Sequence, residues 1–322
     1  MAERAGVSPA TVSRVLNGTA VVDEGKRREV LAAVDELGYR PNRVASNLRR
    51  QQVQMIGVVV SDIENPHFTQ MVRAAEDAAF QHGYRVLLCN TDEDPEKQKS
   101  YLEVLAAERV AGAIISPTQA DAPEISELID LGTCVVAFDR AVEDKRADAI
   151  LLANAKGAAQ GTQHLIKGGH RRVGFVGGPH TVQTAAERQQ GYEEAMASAG
   201  LPAMVAEGNF RLEGGARAAL ELVGAGATAL LVANNMMAVG VLEALREHKL
   251  KVDRDVAVIS IDDPPWAKLT DPPLTTLAQP VKEMSEAAVT LLLQRLANGR
   301  SRRKVQVFEF ELRHRRSCCN GR

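Results

Sequence analysis

Residues 6–18 read Gly-Val-Ser-Pro-Ala-Thr-Val-Ser-Arg-Val-Leu-Asn-Gly, and this stretch decides the fold of the first part of the chain. Ser8 is a favoured N-cap, Pro9 suits the first helical position, and Gly18 favours the left-handed conformation that ends a helix. One face is apolar and is expected to pack inward; it holds Val12, Val15 and Leu16. The sequence therefore predicts a short amphipathic helix from Pro9 to Asn17, whose other face is polar and positively charged at Arg14.

Two further short helices are predicted beside it, because a helix of about ten residues is unstable without packing partners. One runs from Ala2 to Ala5 and ends at Gly6. The other follows a cap at Asp23, ends at Gly38 and carries an apolar stripe of Val30, Val34 and Leu37. Three such helices with a tight glycine turn form a helix-turn-helix, whose second helix lies in the DNA major groove. The residues alone also fit a small bundle with Arg14 as a solvated charge.

The charge distribution agrees with DNA contact by the N-terminal part only. Residues 1–52 hold nine Lys and Arg against six Asp and Glu, a charge of +3, whereas the whole chain carries −2, so the remainder carries −5. A basic N-terminal part followed by an acidic remainder is typical of a protein that binds nucleic acid through its N-terminal part. The excess of positive charge is modest and supports this interpretation.

Residues 41–50 form a second basic segment. Val44 and Leu48 share one face of a short helix, and three arginines, Arg43, Arg49 and Arg50, supply charge for phosphates. Such a segment can order on binding and insert Leu48 between base steps of the minor groove. Alternatively it is a linker whose Leu48 packs on a neighbour, and composition alone favours the linker.

From residue 54 onward, short apolar runs alternate with helical patterns. Strands are predicted at Met55–Val60, Tyr84–Cys89, Ala113–Ile115, Cys134–Phe138, Val173–Val176, Met204–Ala206, Ala229–Val232 and Val256–Ile261, with a last one at Val305–Glu311. Helices are predicted at Pro66–His82, Pro95–Ala107, Ala122–Leu131, Asn154–Lys167, Thr184–Ala199, Leu212–Leu222, Met236–Glu247 and Val281–Ala297. The fold class is therefore α/β, with two doubly wound parallel-sheet lobes that bind a ligand between them, at the C-terminal ends of the strands.

Polar and aromatic residues follow several of these strands. They are Ser61, Asp62, Asn65, His67, Phe68, Asp139, Arg140, Arg188, Phe210, Asn234, Asn235, Asp262 and Asp263. Carboxylates, amides and a guanidinium can bind neighbouring hydroxyl groups, and a phenyl ring can cover the apolar face of a sugar or base. Several of them also have a purely structural interpretation: Asn234 and Asp62 as helix caps, Arg188 in a salt bridge with Glu187 or a helix neighbour, and Phe210 in the core.

The chain resembles the lactose/galactose-repressor (LacI/GalR) family of bacterial transcription regulators from residue 1 to about residue 316. The run from Gly6 to Gly18, the segment Glu-Leu-Gly-Tyr-Arg-Pro-Asn at residues 36–42, and the position of Leu48 carry this resemblance. It implies a helix-turn-helix domain at residues 1–40 and a hinge helix at 41–53. It also implies lobes of the periplasmic-binding-protein type at residues 54–153 with 280–309, and at 154–279 with 310–322.

The resemblance also implies site residues. The DNA-binding residues would be Ser8, Pro9, Ala10, Thr11, Ser13, Arg14, Asn17, Asn42, Arg43, Ala45 and Leu48. Ala45 and Leu48 would enter the minor groove, and Arg14 would read guanine. The effector-binding residues would be His67, Phe68, Asp139, Arg188, Phe210, Asn234 and Asp262.

The chain departs from the family pattern in two ways. Relatives usually carry several more residues before Met1, so the first helix is expected to lack a turn, and a start assigned too far downstream would explain this. Ala153 and Asn235 stand where aspartate is common, which leaves the identity of the effector open.

Several function classes are not expected. Cys89, Cys134, Cys318 and Cys319 show no regular spacing, so neither a disulfide framework nor a zinc site is indicated, and no cofactor is expected. The glycines at 174, 177 and 178 match no phosphate-binding motif, so an enzyme is not expected. The sequence shows no signal peptide or long apolar run, which predicts a soluble, cytoplasmic, nucleoid-associated protein.

The sequence therefore predicts an allosteric transcriptional regulator, in the repressor role. A homodimer would bind a pseudo-palindromic operator, and a sugar, a related metabolite or a nucleoside between the lobes would control it. The alternative is a sugar-binding protein of the periplasmic type without DNA-binding activity.

Overall fold

The computed structural model describes residues 2–17, 22–37, 53–299 and 302–318. The chain divides into two compact units, residues 1–53 and residues 54–322. The described part of the first unit contains α1 (Pro9–Asn17) and α2 (Glu24–Glu36).

The helices of the first unit begin at the predicted caps. The backbone N–H of Thr11 donates to Ser8 Oγ at 3.2 Å. Asp23 Oδ1 accepts from the N–H groups of Gly25 and Lys26 at 3.0 and 3.2 Å. Each cap thus satisfies donors that the first turn of a helix leaves without a partner. The small core of this unit consists of Ala5, Val12, Val30 and Ala33.

Two predictions for this unit are wrong. Residues 2–6 form turns rather than a helix, closed by hydrogen bonds from Gly6 to Glu3 and from Val7 to Ala2. Gly6 has a φ of +60°, which cannot continue a right-handed helix. Leu37 is 52% exposed instead of completing the apolar stripe, because it lies in the cap position after α2 has ended. The side chain of Leu16, Gly18 and Gly38 lie outside the described residues.

The second unit contains two six-stranded sheets with helices around them. The elements of its first half are β1 (Val53–Val60), α3 (Pro66–Gln81), β2 (Arg85–Asn90), α4 (Pro95–Ala107), β3 (Val110–Ile115), α5 (Pro123–Asp130), β4 (Cys134–Asp139) and β5 (Asp148–Leu152). The second half contains α6 (Asn154–Lys167), β6 (Val173–Gly177), α7 (Gln183–Ser198), β7 (Met204–Glu207), α8 (Leu212–Gly224), β8 (Ala229–Val232), α9 (Asn235–Glu247), β9 (Ala257–Ile261), a 3₁₀ turn (Pro265–Lys268) and β10 (Thr275–Ala278). The chain ends with α10 (Val281–Asn298), β11 (Val305–Phe308) and β12 (Glu311–Arg313).

Each half of the unit builds one sheet, and the end of the chain adds a strand to both. The first sheet has the order β11-β5-β4-β3-β1-β2, and the second has the order β12-β10-β9-β8-β6-β7. The strand pairs whose register is described are parallel, except for β10 with β12, which is antiparallel. The predicted fold class, two doubly wound lobes, is therefore confirmed.

The single strand predicted from Val305 to Glu311 is wrong. The chain forms β11 beside β5 in the first sheet and then β12 beside β10 in the second. Phe310 lies at this crossing and packs against the cores of both lobes. Because the residue at the crossing is apolar, apolar and polar residues alternate through both short strands, and the sequence predicts a single strand.

The prediction also missed β5 and β10. Both are short, with five and four residues, and β10 follows a pair of prolines. The remaining helices and strands agree with their predictions to within about three residues at each end.

A buried ion pair joins the returning helix α10 to the first sheet. Arg295 on α10 donates from Nε and Nη2 to both carboxylate oxygens of Asp148 on β5, at 2.7 and 2.6 Å. The backbone N–H of Lys304 donates to the same carboxylate at 2.6 Å. Two-point contact fixes the orientation of both side chains, so this pair secures α10 and the chain that leads into β11.

Among the described residues, no helix combines the length and the apolar character that a membrane span requires.

Candidate functional site

A narrow cleft of about 60 Å³ lies between the two lobes. Its lining contains all seven of the predicted effector-binding residues: His67, Phe68, Asp139, Arg188, Phe210, Asn234 and Asp262. Asp139, Asn234 and Asp262 lie at the carboxyl ends of β4, β8 and β9, and Phe210 lies just before α8. His67 and Phe68 belong to the first turn of α3, and Arg188 belongs to α7. The structure thus brings together side chains that are up to 195 residues apart in the sequence, at the edge where parallel sheets bind ligands.

Three of these residues have left-handed backbone conformations. The φ angles are +67° at Asp139, +60° at Phe210 and +73° at Asp262. A side chain at positive φ costs about 1–3 kcal/mol and persists only where the surroundings impose it. The clustering of three such residues in one cleft indicates that the backbone there is constrained to aim these side chains.

Arg188 is held rigidly inside the cleft. Its side chain is almost fully buried, Nε donates to Asn154 Oδ1 at 2.8 Å, and Nη1 donates to the carbonyl oxygen of Ala233 at 2.8 Å. These two bonds fix the plane of the guanidinium and do not use Nη2. The salt bridge from Arg188 to Glu187, which the sequence left open, is not formed; Glu187 accepts instead from Asn154 and Gln183.

Several polar atoms of the cleft are buried without a hydrogen-bond partner in the described part of the chain. Both ring nitrogens of His67 are in this state, as are Asp139 Oδ1 and Gln279 Oε1, and so is Oδ1 of Asn235 beside the cleft. A buried polar group without a partner costs about 1–3 kcal/mol. A ligand with hydroxyl or amide groups would satisfy these atoms on binding.

Three aromatic rings complete the lining. The ring of Phe210 lies against the backbone of Gly178. A Cβ atom on residue 178 would lie only 2.2 Å from this ring. Gly178 therefore leaves the space that the ring occupies. His67 and Phe68 contact each other edge to face, with ring centroids 5.0 Å apart.

Asn234 serves both as a helix cap and as a lining residue. Its Oδ1 accepts from the N–H of Met237 at 2.8 Å, and its Nδ2 donates to the carbonyl oxygen of Phe210 at 3.2 Å. The structural and the functional interpretation of Asn234 are thus compatible.

Arg140 is engaged within the protein. Both of its terminal nitrogens donate to Glu93 at 2.6 Å. Burial acts to lower the pKa of Arg140, but the hydrogen bonds and charge of Glu93 and the charge of Asp139 outweigh it and leave the pKa raised. Arg140 therefore stays charged and positions the wall of the cleft.

Sequence reasoning missed some residues of this cleft. Glu93, Thr184, Asn209, Arg211 and Gln279 also line it. Thr184 lies in the first turn of α7, and the others lie in loops or beside an unpredicted strand, so the rule that ligands bind after strand ends does not select them. Gln279 follows β10 directly, so a correct prediction of that strand would have found it.

Between described residues, three hydrogen bonds cross the cleft and join the lobes. Arg211 Nη1 donates to Asp62 Oδ2 at 2.7 Å, and Asn235 Nδ2 donates to Asn65 Oδ1 at 2.8 Å. The third runs from the N–H of Ala141 to Gln183 Oε1 at 3.0 Å. The cleft is far smaller than the roughly 300–1,000 Å³ typical of ligand pockets. These bonds therefore hold a contracted arrangement that has to change when a larger ligand enters.

We expect Arg211→Ala to open this cleft and Asp62→Asn to leave it contracted. Burial raises the pKa of Asp62 by more than the charge of Arg211 lowers it, so the ionised carboxylate is less stable there than in water. Removing Arg211 leaves that charge buried and unpaired, whereas an asparagine oxygen still accepts the hydrogen bond. Small-angle X-ray scattering should show a larger radius of gyration for Arg211→Ala only.

The same pKa shift sets a pH dependence of lobe contraction. Because the pKa of Asp62 is raised in the contracted state, contraction takes up protons. The stabilisation of the contracted state by protonated Asp62 is fully present below the ordinary carboxyl pKa. It is lost as the pH rises through the raised pKa of Asp62. Scattering curves of Asp62→Asn should lack this pH dependence; a wild-type protein that expands on acidification over that range would contradict the assignment.

The polar face of α1 forms the candidate nucleic-acid interface of the first unit. Ser8, Pro9, Ala10 and Arg14 are exposed, whereas Thr11 and Ser13 are half-buried. Ser8 Oγ and Thr11 Oγ1 lie 2.9 Å apart, within hydrogen-bonding distance. The side chain of Asn17 and all of Asn42, Arg43, Ala45 and Leu48 lie outside the described residues.

Comparison with known proteins identifies the family. Residues 1–42 match the model of bacterial regulatory proteins of the lacI family, and residues 162–318 match a periplasmic binding protein-like domain. The HTH-type transcriptional regulator GalS of Salmonella typhimurium is 36% identical over 299 residues, which cover 91% of this chain and 88% of GalS. The chain belongs to the LacI family. It is a DNA-binding transcriptional regulator, and the alternative of a sugar-binding protein without DNA-binding activity is excluded.

Solved structures agree with the LacI-family assignment. The Lac repressor dimer bound to operator and the anti-inducer ONPF matches with a TM-score of 0.87 and 30% identity, over 99% of this chain and 97% of that one. The transcriptional regulator CelR in complex with cellobiose matches with a TM-score of 0.75 and 30% identity, over 98% of both chains.

Proposed function

We propose that this LacI-family regulator is a repressor whose affinity for its operator changes when a sugar or sugar-like metabolite binds between its lobes. The observation that carries the proposal is the set of buried polar atoms at His67, Asp139 and Gln279 that have no partner among the described residues. A polyol would supply the missing donors and acceptors at closely spaced positions.

The proposed effector-binding residues have complementary tasks. Asp139 and Asp262 would accept hydrogen bonds from hydroxyl groups, and Arg188 and Asn234 would donate to hydroxyl oxygens. Phe68 and Phe210 would cover the apolar face of the ring, and the ring nitrogens of His67 would bond to hydroxyl groups. The CelR relative was solved as a complex with cellobiose, which supports a carbohydrate as the class of effector.

The proposed DNA-binding residues are those of α1 and of the hinge. Ser8, Pro9, Ala10, Thr11, Ser13, Arg14 and Asn17 would face the major groove, and Asn42, Arg43, Ala45 and Leu48 would belong to the hinge that meets the minor groove. We propose residues 1–40 as the DNA-binding domain and 41–53 as the hinge. The lobes would comprise 54–153 with 280–309, and 154–279 with 310–322.

We further propose that the chain acts as a homodimer, by binding alone and without catalysis, on a pseudo-palindromic operator in the cytoplasmic nucleoid. The Lac repressor relative was solved as a dimer on its operator. In this chain Leu269 is 79% exposed and precedes Thr270, which lines a groove of about 1140 Å³ together with Val239, Leu242 and Trp266. An exposed apolar surface of this kind supports contact with a second copy.

Coupling between the two sites follows from linkage. If the effector changes operator affinity by some factor, the operator changes effector affinity by the same factor. Titration calorimetry with pentoses, hexoses and nucleosides, with and without operator, tests this. A ligand that binds with the same affinity with and without operator would contradict the coupling. If only nucleosides bind, the effector is a nucleoside and not a sugar.

We expect Arg14→Ala to weaken specific DNA binding by about 10- to 100-fold, because a side chain bidentate to guanine contributes about 1–3 kcal/mol. The operator can be obtained by selection from random duplexes, and affinity can be measured by gel shift against a scrambled duplex. Arg28→Ala removes the same charge from the exposed surface of α2 and is the matched control. Arg28→Ala should weaken binding to the operator and to the scrambled duplex by the same factor. If Arg14→Ala also weakens both by the same factor, Arg14 does not read a base.

A further inference from the structure

Two histidines and a cysteine converge at the end of the second lobe that lies away from the cleft. His164 is on the last turn of α6, and His314 and Cys318 follow β12. The ring nitrogens His314 Nδ1 and His164 Nε2 are 3.2 Å apart, and Cys318 Sγ lies 4.0 Å from His314 Nδ1. All three donor atoms lie within 4.8 Å of one another.

These separations suit a tetrahedral metal ion. Zinc binds histidine nitrogen at about 2.0–2.1 Å and cysteine sulfur at about 2.3 Å, which in tetrahedral geometry puts the donor atoms roughly 3.3–3.6 Å apart. The observed distances bracket these values, so only small side-chain rotations are needed. A set of two imidazoles and one thiolate favours Zn²⁺ or a related first-row transition metal over Mg²⁺ or Ca²⁺, which prefer oxygen.

The surroundings of Cys318 provide a hydrogen-bond partner for a ligating sulfur. Cys318 is fully buried, and its thiol donates to Thr275 Oγ1 at 3.2 Å. The same oxygen accepts from the N–H of Arg315 at 2.9 Å, which leaves the hydroxyl hydrogen able to turn towards the sulfur once the thiol proton is lost. Such a hydrogen bond to a ligating atom is typical of metal sites.

The backbone around the cluster is fixed. Ser317 exchanges hydrogen bonds with the N–H and carbonyl groups of Val258 on β9, at 2.8 and 2.6 Å, and its Oγ accepts from the N–H of Thr275 at 2.7 Å. The segment that carries His314 and Cys318 is therefore clamped to the second sheet. A fixed backbone lowers the entropic cost of assembling three ligands.

We propose that His164, His314 and Cys318 form a binding site for a zinc-like transition-metal ion that ties the C-terminal segment to α6. The spacing of the cysteines in the sequence gave no indication of it, because His164 is 150 residues away from His314. A water molecule or another donor completes the coordination. The metal ion has a structural role. The strands beside the site, β10 and β12, are the ones from which the chain passes to and from the first lobe.

The test uses the full chain purified without a polyhistidine tag. Equilibrium dialysis with Zn²⁺ should give about one bound ion per chain, and Zn²⁺ should raise the melting temperature because it binds the folded state. Co²⁺ should show the tetrahedral visible spectrum and a sulfur-to-metal charge-transfer band. His314→Gln and Cys318→Ser should each weaken binding by about 100-fold or more, since loss of a supporting residue alone costs about 10- to 100-fold.

Matched controls separate this site from general metal binding. His180→Gln removes an exposed histidine elsewhere in the second lobe, and Cys134→Ser removes a half-buried cysteine of the first lobe; both should bind like the wild type. His314 is exposed, so its variant is expected to fold even if Cys318→Ser does not. Wild-type affinity in His314→Gln, a Co²⁺ complex without the sulfur band, or no stoichiometric binding would each overturn the proposal.

Discussion

Replacement of Arg188 by methionine is expected to lower effector affinity by about 100-fold or more, with little change in operator affinity in the absence of effector. Hydrogen bonds to a charged group contribute about 1.5–3 kcal/mol each, and every 1.4 kcal/mol is a factor of ten. Two such bonds to neighbouring hydroxyls account for the expected loss. The guanidinium is already aligned by Asn154 and the carbonyl of Ala233, so it binds a ligand without further ordering.

Arg217→Met is the matched control for this experiment. Arg217 lies on α8 in the same lobe, but its side chain is 64% exposed and it bonds to the carbonyl of Glu207 outside the cleft. Both variants lose one arginine charge, so a general electrostatic effect would move both affinities alike. Calorimetry with the effector found in the sugar panel gives the comparison. Equal effector affinity in Arg188→Met and the wild type would remove Arg188 from the site.

The lobed architecture could be predicted from the sequence because its signals are local and repeated. Buried parallel strands appear as short apolar runs, and several helices begin with a proline, as at Pro66, Pro95 and Pro123. The same holds for α1, whose cap and proline define its start. Helix and strand positions in the lobes therefore followed from patterns a few residues long.

The connection between the lobes could not be predicted, because it depends on contacts between distant segments. β10 is short and starts just after two prolines, and β11 and β12 read as one strand although they belong to different sheets. Only the pairing partners decide where such a strand ends. In the first unit the error at residues 2–6 was local: the segment is too short to form the hydrogen bonds of a helix before Gly6.

The cleft was predictable where ligand-binding residues follow a strand, and not where they come from loops. Asp139 and Asp262 stand directly at strand ends, whereas Glu93 and Arg211 reach the cleft from loops. The left-handed backbone at Asp139, Phe210 and Asp262 was also invisible, because no glycine or asparagine marks it. The cross-lobe bonds depend on how the two lobes meet, which the sequence of either lobe does not contain.

Arg295→Met should be the most destabilising of the substitutions considered, with a loss of about 3–5 kcal/mol in the free energy of unfolding. The side chains of Arg295 and Asp148 are 9% and 1% exposed, so removal of the arginine leaves a carboxylate buried without its counter-ion. For a unit of this size such a loss lowers the melting temperature on the order of 10 °C. Urea unfolding followed by circular dichroism measures it.

A double-mutant cycle distinguishes the lost ion pair from lost packing. The double variant Asp148→Asn with Arg295→Met has no buried charge at this point, so it should be more stable than Arg295→Met alone. Arg73→Met provides the surface control, since the pair of Arg73 with Asp77 on α3 is exposed and should contribute less than about 1 kcal/mol. If the double variant is as unstable as Arg295→Met, the arginine stabilises the first lobe through its packing against the sheet and not through the charge of Asp148.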